Sequence, residues 1–186
     1  MACKLGGTDK GDGMDTLSEL GIKYGTDKIG KHNYLPTYYE LFRNKSKRRK
    51  VKKVLEIGVA EGAGVRMFRD FFTNATIYGA EIEDGRIFSE DRIQIIKCDQ
   101  SSFKDLLNLV DTTGRDLDLV IDDGSHVPEH QLYTCLQLLP LLPKGSIYII
   151  EDVANDEVFT GIPGTWDKEM IRVGKRYDDQ LVIIRI

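Results

Sequence analysis

The sequence has few of the groups that build extracellular or membrane frameworks. Its three cysteines, Cys3, Cys98 and Cys135, are odd in number and widely spaced. That fits neither a disulfide framework nor a zinc-ligand pattern and predicts a reducing compartment. No apolar run approaches the roughly 18 residues needed to cross a bilayer, so no membrane partner is expected. The first residues are rich in Gly and Asp and lack an apolar signal region, so export is not expected and a cytoplasmic location is. Neither sign of charge dominates: a net charge of −4 over 186 residues gives no basis for nucleic-acid affinity. What remains is 41% apolar and 30% charged, as in soluble globular proteins, and long enough for one well-cored domain with an added segment.

Residues 1–14 are polar and glycine-rich, and disorder is expected there. Residues 15–50 read as an N-terminal helical segment, with a first helix over 15–23 capped by Asp15 or Thr16 and a second over Tyr34–Arg43. Lys45–Lys53 holds seven basic residues in nine; as a local run in an acidic chain it reads as a solvated linker. The main domain, residues 51–186, then alternates strand and helix. Strands are predicted at Val51–Ile57, Thr76–Ile82, Ile93–Cys98, Leu117–Ile121 and Gly145–Ile150. Helical stripes lie between them: Val65, Phe68, Phe71 and Phe72; then Phe103, Leu106, Leu107 and Val110; then Leu132, Leu136 and Leu139. This rhythm predicts an α/β fold with a mostly parallel sheet and helices on both faces. Met170–Gly174 and Leu181–Ile186 have no helix between them and read as a terminal antiparallel hairpin, for seven strands in all.

Two of these strands end abruptly in acid. One runs Val120-Ile121-Asp122-Asp123-Gly124-Ser125-His126 and the other Tyr148-Ile149-Ile150-Glu151-Asp152. Such ends deliver their side chains to the carboxyl edge of the sheet, where open α/β proteins bind ligands. Carboxylates gathered there repel one another unless a cation or shared protons compensate. The pair is therefore a candidate metal site with a histidine base beside it. An all-oxygen donor set prefers Mg²⁺, then Mn²⁺ or Ca²⁺. Neighbouring strand residues face opposite ways, so Asp122 and Asp123 do not share an ion; Asp122 is left to orient neighbouring groups or to approach a cofactor.

The first strand runs into Glu56-Ile57-Gly58-Val59-Ala60-Glu61-Gly62-Ala63-Gly64, a turn open to a ligand. The dinucleotide pattern G-x-G-x-x-G is absent, and Glu56 and Glu61 would repel a pyrophosphate. The same acids suit a ligand bearing an ammonium and a sulfonium, such as S-adenosylmethionine (SAM). Glu81 ends the second strand, where an acid can accept both ribose hydroxyls. Asp99 and Gln100 end the third, near an adenine amino group.

In order, Tyr24-Gly25-Thr26-Asp27-Lys28, His32, Tyr34, Tyr39-Glu40, the Glu56–Gly64 loop, Asp99-Gln100-Ser101, Asp122–His126 and Glu151-Asp152 resemble the class I SAM-dependent methyltransferases, whose fold is Rossmann-like. More narrowly they resemble the metal-dependent sugar O-methyltransferases of the macrocin and mycinamicin type. The resemblance implies Asp123, Glu151 and Asp152 as metal ligands and His126 as general base. It implies a cofactor set of Glu56, Gly58, Gly62, Glu81, Asp99, Gln100 and Asp122, under a lid carrying Tyr24, Thr26 and Lys28. The implied reaction is Mg²⁺-dependent methyl transfer to a hydroxyl of a sugar or other small polyol. The macrolide enzymes carry a larger N-terminal part, and the stretch here between Asp152 and the final hairpin is short. A homo-oligomer is compatible with the sequence.

Other readings are weaker. His126-Val127-Pro128-Glu129-His130 matches H-x-x-E-H, but Pro128 suits only a first helical turn, which puts His126 before the helix. Catechol- or caffeoyl-CoA-type O-methyltransferases have an Asp-Asn-like second metal element where this chain has Glu151-Asp152. A SAM-binding module without turnover stays open. Trp166 reads equally as core or as a border of the acceptor site.

Overall fold

The structure, a computed structural model, describes residues 12–186. Most of the tail expected to be disordered, with Cys3, lies outside the described residues. Residues 12–14 instead open helix α1 (Asp12–Tyr24), so that helix starts ahead of the expected caps Asp15 and Thr16. Helix α2 (Leu35–Phe42) follows, with Pro36 in its first turn, where the missing N–H is no loss. The basic run is a correction to the expected linker: Lys45–Lys50 forms the short helix α3, capped by Asn44, which accepts the Lys47 N–H at 3.1 Å.

The sheet contains β1 (Lys53–Ile57), β2 (Thr76–Glu81), β3 (Ser89–Glu90), β4 (Ile93–Lys97), β5 (Leu119–Asp122), β6 (Ile147–Ile150), β7 (Asp167–Arg172) and β8 (Gln180–Arg185). Their order is β3-β4-β2-β1-β5-β6-β8-β7. Strands β4, β2, β1, β5 and β6 run parallel, while β3, β7 and β8 are antiparallel. The two-residue β3 makes eight strands where seven are predicted. Helices α4 (Ala63–Phe71), α5 (Phe103–Thr113) and α6 (Pro128–Leu138) complete the layers. Among the described residues, no helix is long and apolar enough to cross a membrane. Cys98 and Cys135 are buried and free.

Each face of the sheet carries its own core. On one face Leu17, Tyr38, Phe42, Phe68 and Phe72 from α1, α2 and α4 and the residue after α4 pack on Val54, Ile77, Ile121 and Ile149. On the other, Leu106, Leu109, Cys135 and Leu138 from α5 and α6 pack on Leu55, Val120, Tyr148 and Ile150. Trp166 is half-buried against this second core and is absent from the wall of the large cavity.

Strand parity sets the site. Side chains two apart share a face, so Glu56 follows Val54, Asp123 follows Ile121, and Glu151 follows Ile149 onto the α1–α2 face. Strands β1, β5 and β6 are neighbours, with Glu56 paired to Ile121 and Ile121 to Ile149. Three adjacent strands thus send one carboxylate each to the same side of the same edge.

Candidate active site

Lys28 lies at the centre of those carboxylates. The chain leaves α1 through Gly25 (φ +70°) and folds back so that Tyr34 N–H donates to the Lys28 carbonyl at 3.1 Å. That return drives Lys28 inward to 1% exposure. Its Nζ is 2.6 Å from Asp123 Oδ2, 2.7 Å from Glu151 Oε2 and 3.3 Å from Glu56 Oε1. Burial opposes the Lys28 charge, but Asp123, Glu151 and Glu56 outweigh it and hold the ammonium protonated far above its ordinary range.

The acids respond unequally. Burial raises Glu56 to about 7 against the pull of Lys28, and its Oε2 is buried without a hydrogen-bond partner. Burial also raises Glu151 above the usual carboxylate range; Tyr38 OH donates to its second oxygen, Oε1. Burial pushes Asp123 upward too, but Lys28 and His126 together hold it below the usual carboxylate range.

Asp152 stands one residue further along. Tyr34 OH donates to its Oδ1 at 2.5 Å and accepts its backbone N–H at 3.2 Å. His32, stacked on Tyr34, places Nε2 3.6 Å from the same Oδ1 and Nδ1 2.8 Å from Asp179 Oδ1. His126 spans the remaining oxygens, with Nε2 3.2 Å from Asp123 Oδ1 and Nδ1 3.5 Å from Asp152 Oδ2. The Asp123 hydrogen bond, reinforced by Asp152, raises His126 to about 9, and the ring bridges the two carboxylates. Both His126 (φ +55°) and Asp152 (φ +52°) sit in the left-handed region, a strain of order 1–3 kcal/mol each that aims them at one another.

A divalent ion fits this outer edge. Asp123, His126 and Asp152 can offer ligand atoms all within 4.8 Å of one another, and Asp123 Oδ1 and Asp152 Oδ2 are free of Lys28 and Tyr34. Carboxylate oxygens suit a hard cation. Glu151, the third expected ligand, has both oxygens engaged, by Lys28 and Tyr38.

A cavity of about 520 Å³ opens from this edge along the strand ends. Thr26, Lys28, Glu56, Gly58, Glu81, Asp99, Gln100, Asp123 and His126 are among the residues that line it. The fit to SAM rests on Glu56, a lining residue whose Oε2 is buried without a hydrogen-bond partner, and on the acids Glu81 and Asp99 further along. Glu81 also sets the loop: Oε2 accepts Val59 N–H at 3.1 Å and Ala60 N–H at 2.9 Å, and Oε1 accepts Glu83 N–H at 2.9 Å. Gln100 lines the cavity with its amide already engaged. Its nitrogen donates to Asp122 at 3.0 Å and its oxygen accepts Ser125 N–H at 2.6 Å, which clamps the loop that carries Asp123.

Three expected cofactor residues do not reach the cavity wall. Asp122 faces the second core, fully buried against Gln100 and Tyr148 OH, and burial raises it to about 7. Tyr24 turns to α4, donating to Asp70 at 2.5 Å and accepting from Arg69 at 3.0 Å. Gly62 caps α4 with φ +84°, where a Cβ would meet Arg66 and Phe88. Lys28 lines the cavity as well as holding its ammonium among the buried acids. Tyr38 and Asp179 were not expected at the site. Tyr38 lies one helical turn from Tyr34, but nothing in the sequence pairs it with an acid 113 residues away. His130 stays on α6, its Nδ1 3.2 Å from Ser125 Oγ.

This strand order and this edge define a class I methyltransferase fold. No protein-family model matches the chain. In sequence the chain is a relative of the macrocin- and mycinamicin-type O-methyltransferases. It is 35% identical over 167 residues to the 8-demethyl-8-alpha-L-rhamnosyl tetracenomycin-C 2'-O-methyltransferase of Streptomyces olivaceus, covering 85% of this chain and 43% of that one. With the mycinamicin VI 2''-O-methyltransferase of Micromonospora griseorubida it shares 37% identity over 145 residues, or 74% of this chain and 36% of the relative. The MycE methyltransferase of the mycinamycin biosynthetic pathway, solved with Mg, SAH and mycinamycin VI, superposes with a TM-score of 0.72 at 29% identity. That match covers 91% of this chain and 54% of MycE. The chain therefore spans only about a third to a half of the length of these relatives.

Proposed function

We propose that this chain carries a SAM-dependent, divalent-metal-dependent O-methyltransferase site whose acceptor is a hydroxyl of a sugar on a small molecule. The observation that carries the reading is the continuity of the 520 Å³ cavity with the Asp123–His126–Asp152 edge. A cofactor half and an acceptor half meet at Asp123. The relatives' names and the Mg and SAH of the MycE complex support the choice of ligands.

SAM would supply the methyl group on its sulfonium, and a divalent ion would supply Lewis acidity toward the acceptor hydroxyl. The residues of this chain do the rest. Glu56 Oε2 accepts an ammonium. Glu81 and Asp99 accept hydroxyl or amino donors of the nucleoside. Asp123 and Asp152 would hold the ion, with Mg²⁺ preferred over Mn²⁺ or Ca²⁺ for an oxygen set. Glu151 joins as a ligand only by giving up Lys28 or Tyr38. His126 takes the acceptor proton, and for this it must be neutral. Asp123 and Asp152 raise its pKa, and positive charge held on those two acids would lower it toward the range of a base at neutral pH. Residues 15–50 and 51–186 act as one catalytic unit in this reading.

Calorimetry with SAM and a methyl-transfer screen of glycosylated acceptors, with and without EDTA, test it. Saturable SAM binding and EDTA-sensitive transfer are expected. Absence of SAM binding at millimolar ligand overturns the whole reading; transfer indifferent to EDTA overturns the metal role.

A further inference from the structure

We propose that Lys28 is the resident cation of the acid row: its ammonium takes up charge from Glu56, Asp123 and Glu151 on the inner side of the sheet edge and confines a divalent ion to the outer side, between Asp123 Oδ1, His126 and Asp152. Lys28 is thus a positioning residue for the metal, and this role rests on the metal reading above.

Geometry carries the assignment. An ammonium has three N–H donors, and three adjacent strands present three carboxylate oxygens to it, at 2.6, 2.7 and 3.3 Å. Lys28 and Glu151 are each 1% exposed and Glu56 2%, so among the three partners only Asp123, with its side chain 19% exposed, also meets solvent. Among the described residues, neither Glu56 nor Glu151 has another ion-pair partner. Asp123 is divided between two duties, with Oδ2 on Lys28 and Oδ1 turned outward to His126. Tyr38 closes the inner side by holding the second oxygen of Glu151.

Charge counting agrees. Glu56, Asp123, Glu151 and Asp152 carry four negative charges when ionised. Lys28, one divalent ion and one ligand ammonium at Glu56 bring them to zero. Without Lys28 the same row is short by one positive charge, and its appetite for metal rises. An ammonium on one oxygen of Asp123 also repels an ion on the other. Lys28 therefore weakens divalent binding while fixing where it occurs, which keeps Glu151 and Glu56 from collecting a second ion.

The test is Mn²⁺ binding to wild type and Lys28→Met without SAM or acceptor, read by electron paramagnetic resonance, with melting curves in EDTA and in Mn²⁺. Lys28→Met is expected to bind Mn²⁺ at least about tenfold more tightly, the factor by which a unit positive charge about 5 Å away disfavours a divalent ion even at the dielectric constant of water. Its melting temperature should also rise more on adding Mn²⁺ than that of the wild type. Tyr38→Phe, which loosens Glu151 without changing charge, should keep the wild-type Mn²⁺ affinity. Equal or weaker Mn²⁺ binding by Lys28→Met overturns the assignment. So does a Lys28→Met protein that stays unfolded in Mn²⁺, or an equal gain in Tyr38→Phe. A wild type that binds no Mn²⁺ overturns the metal reading and the positioning role with it, whereas wild-type binding without a gain in Lys28→Met overturns the positioning role alone.

Discussion

Replacing Gly58 by alanine tests how the end of β1 positions Asp123. Gly58 has φ +85°, and a Cβ there would lie 2.0 Å from the Asp123 carbonyl oxygen, 2.6 Å from its carbon and 2.7 Å from Gly124 Cα. All three are backbone atoms, so no rotamer change relieves the overlap. A carbon–oxygen contact needs roughly 3.3 Å, and the end of β5 must retreat by more than about 1 Å. That breaks register where Asp123 N–H donates to the Ile57 carbonyl at 2.9 Å. The left-handed φ costs an alanine about 1–2 kcal/mol and the overpacking about 1–3 kcal/mol, so about 2–5 kcal/mol of stability is lost. For a chain of this size each kcal/mol moves Tm by about 2–4 °C, which predicts a fall of about 4–20 °C in calorimetry. Misplacing Asp123 by about 1 Å should also lower methyl transfer on the order of 100-fold. Gly85→Ala is the control: nothing lies within 4 Å of its Cβ position, and no change is expected. A Gly58→Ala protein with wild-type Tm and wild-type SAM affinity would refute the reasoning.

Two further outcomes follow from the site. His126 is raised from 6.5 to about 9 by Asp123 and Asp152, so the stabilisation it brings is full below about pH 6.5 and is lost as pH rises through about 9. In EDTA, wild-type Tm should decline across that window and His126→Gln should flatten the decline; the effect is modest because the His126 side chain is 43% exposed, and parallel curves would count against the bridge. Tyr38→Phe removes a fully buried donor to Glu151, and urea unfolding should show a loss of about 1.5–3 kcal/mol; a loss below about 0.5 kcal/mol would mean the hydroxyl holds nothing.

The parallel strands were legible because a strand buried on both faces reads as an apolar run. Val54–Ile57, Ile93–Ile96 and Ile147–Ile150 lie inside the predicted strands with ends within a few residues. What escaped lacks that signal. Ser89 and Glu90 of β3 are both exposed and too few for alternation to register. Helix α3 has no apolar residue among Lys45–Lys50, so no period marks it, and only Asn44 hints at a start. Strand β7 begins at Asp167, ahead of the predicted Met170, because an edge strand of charged, exposed residues looks like loop.

At the site, the divide falls between local and long-range chemistry. Strand parity is local, and it correctly set Asp122 and Asp123 on opposite faces. The need for a cation among the acids was also readable, since it follows from charge alone. Which cation answers that need was not readable. Lys28 is one of 26 basic residues, and its partners Asp123 and Glu151 lie 95 and 123 residues away. Tyr34 and Tyr38 pose the same problem, 118 and 113 residues from Asp152 and Glu151. These four contacts tie residues 28–38 to the ends of β5 and β6. Moving this segment away would strip the ammonium from Asp123 and the buried Glu56 and Glu151, and the phenols from Asp152 and Glu151. The desolvation that makes those acids costly to leave unpaired therefore sets the cost of any movement of this segment away from the strand ends.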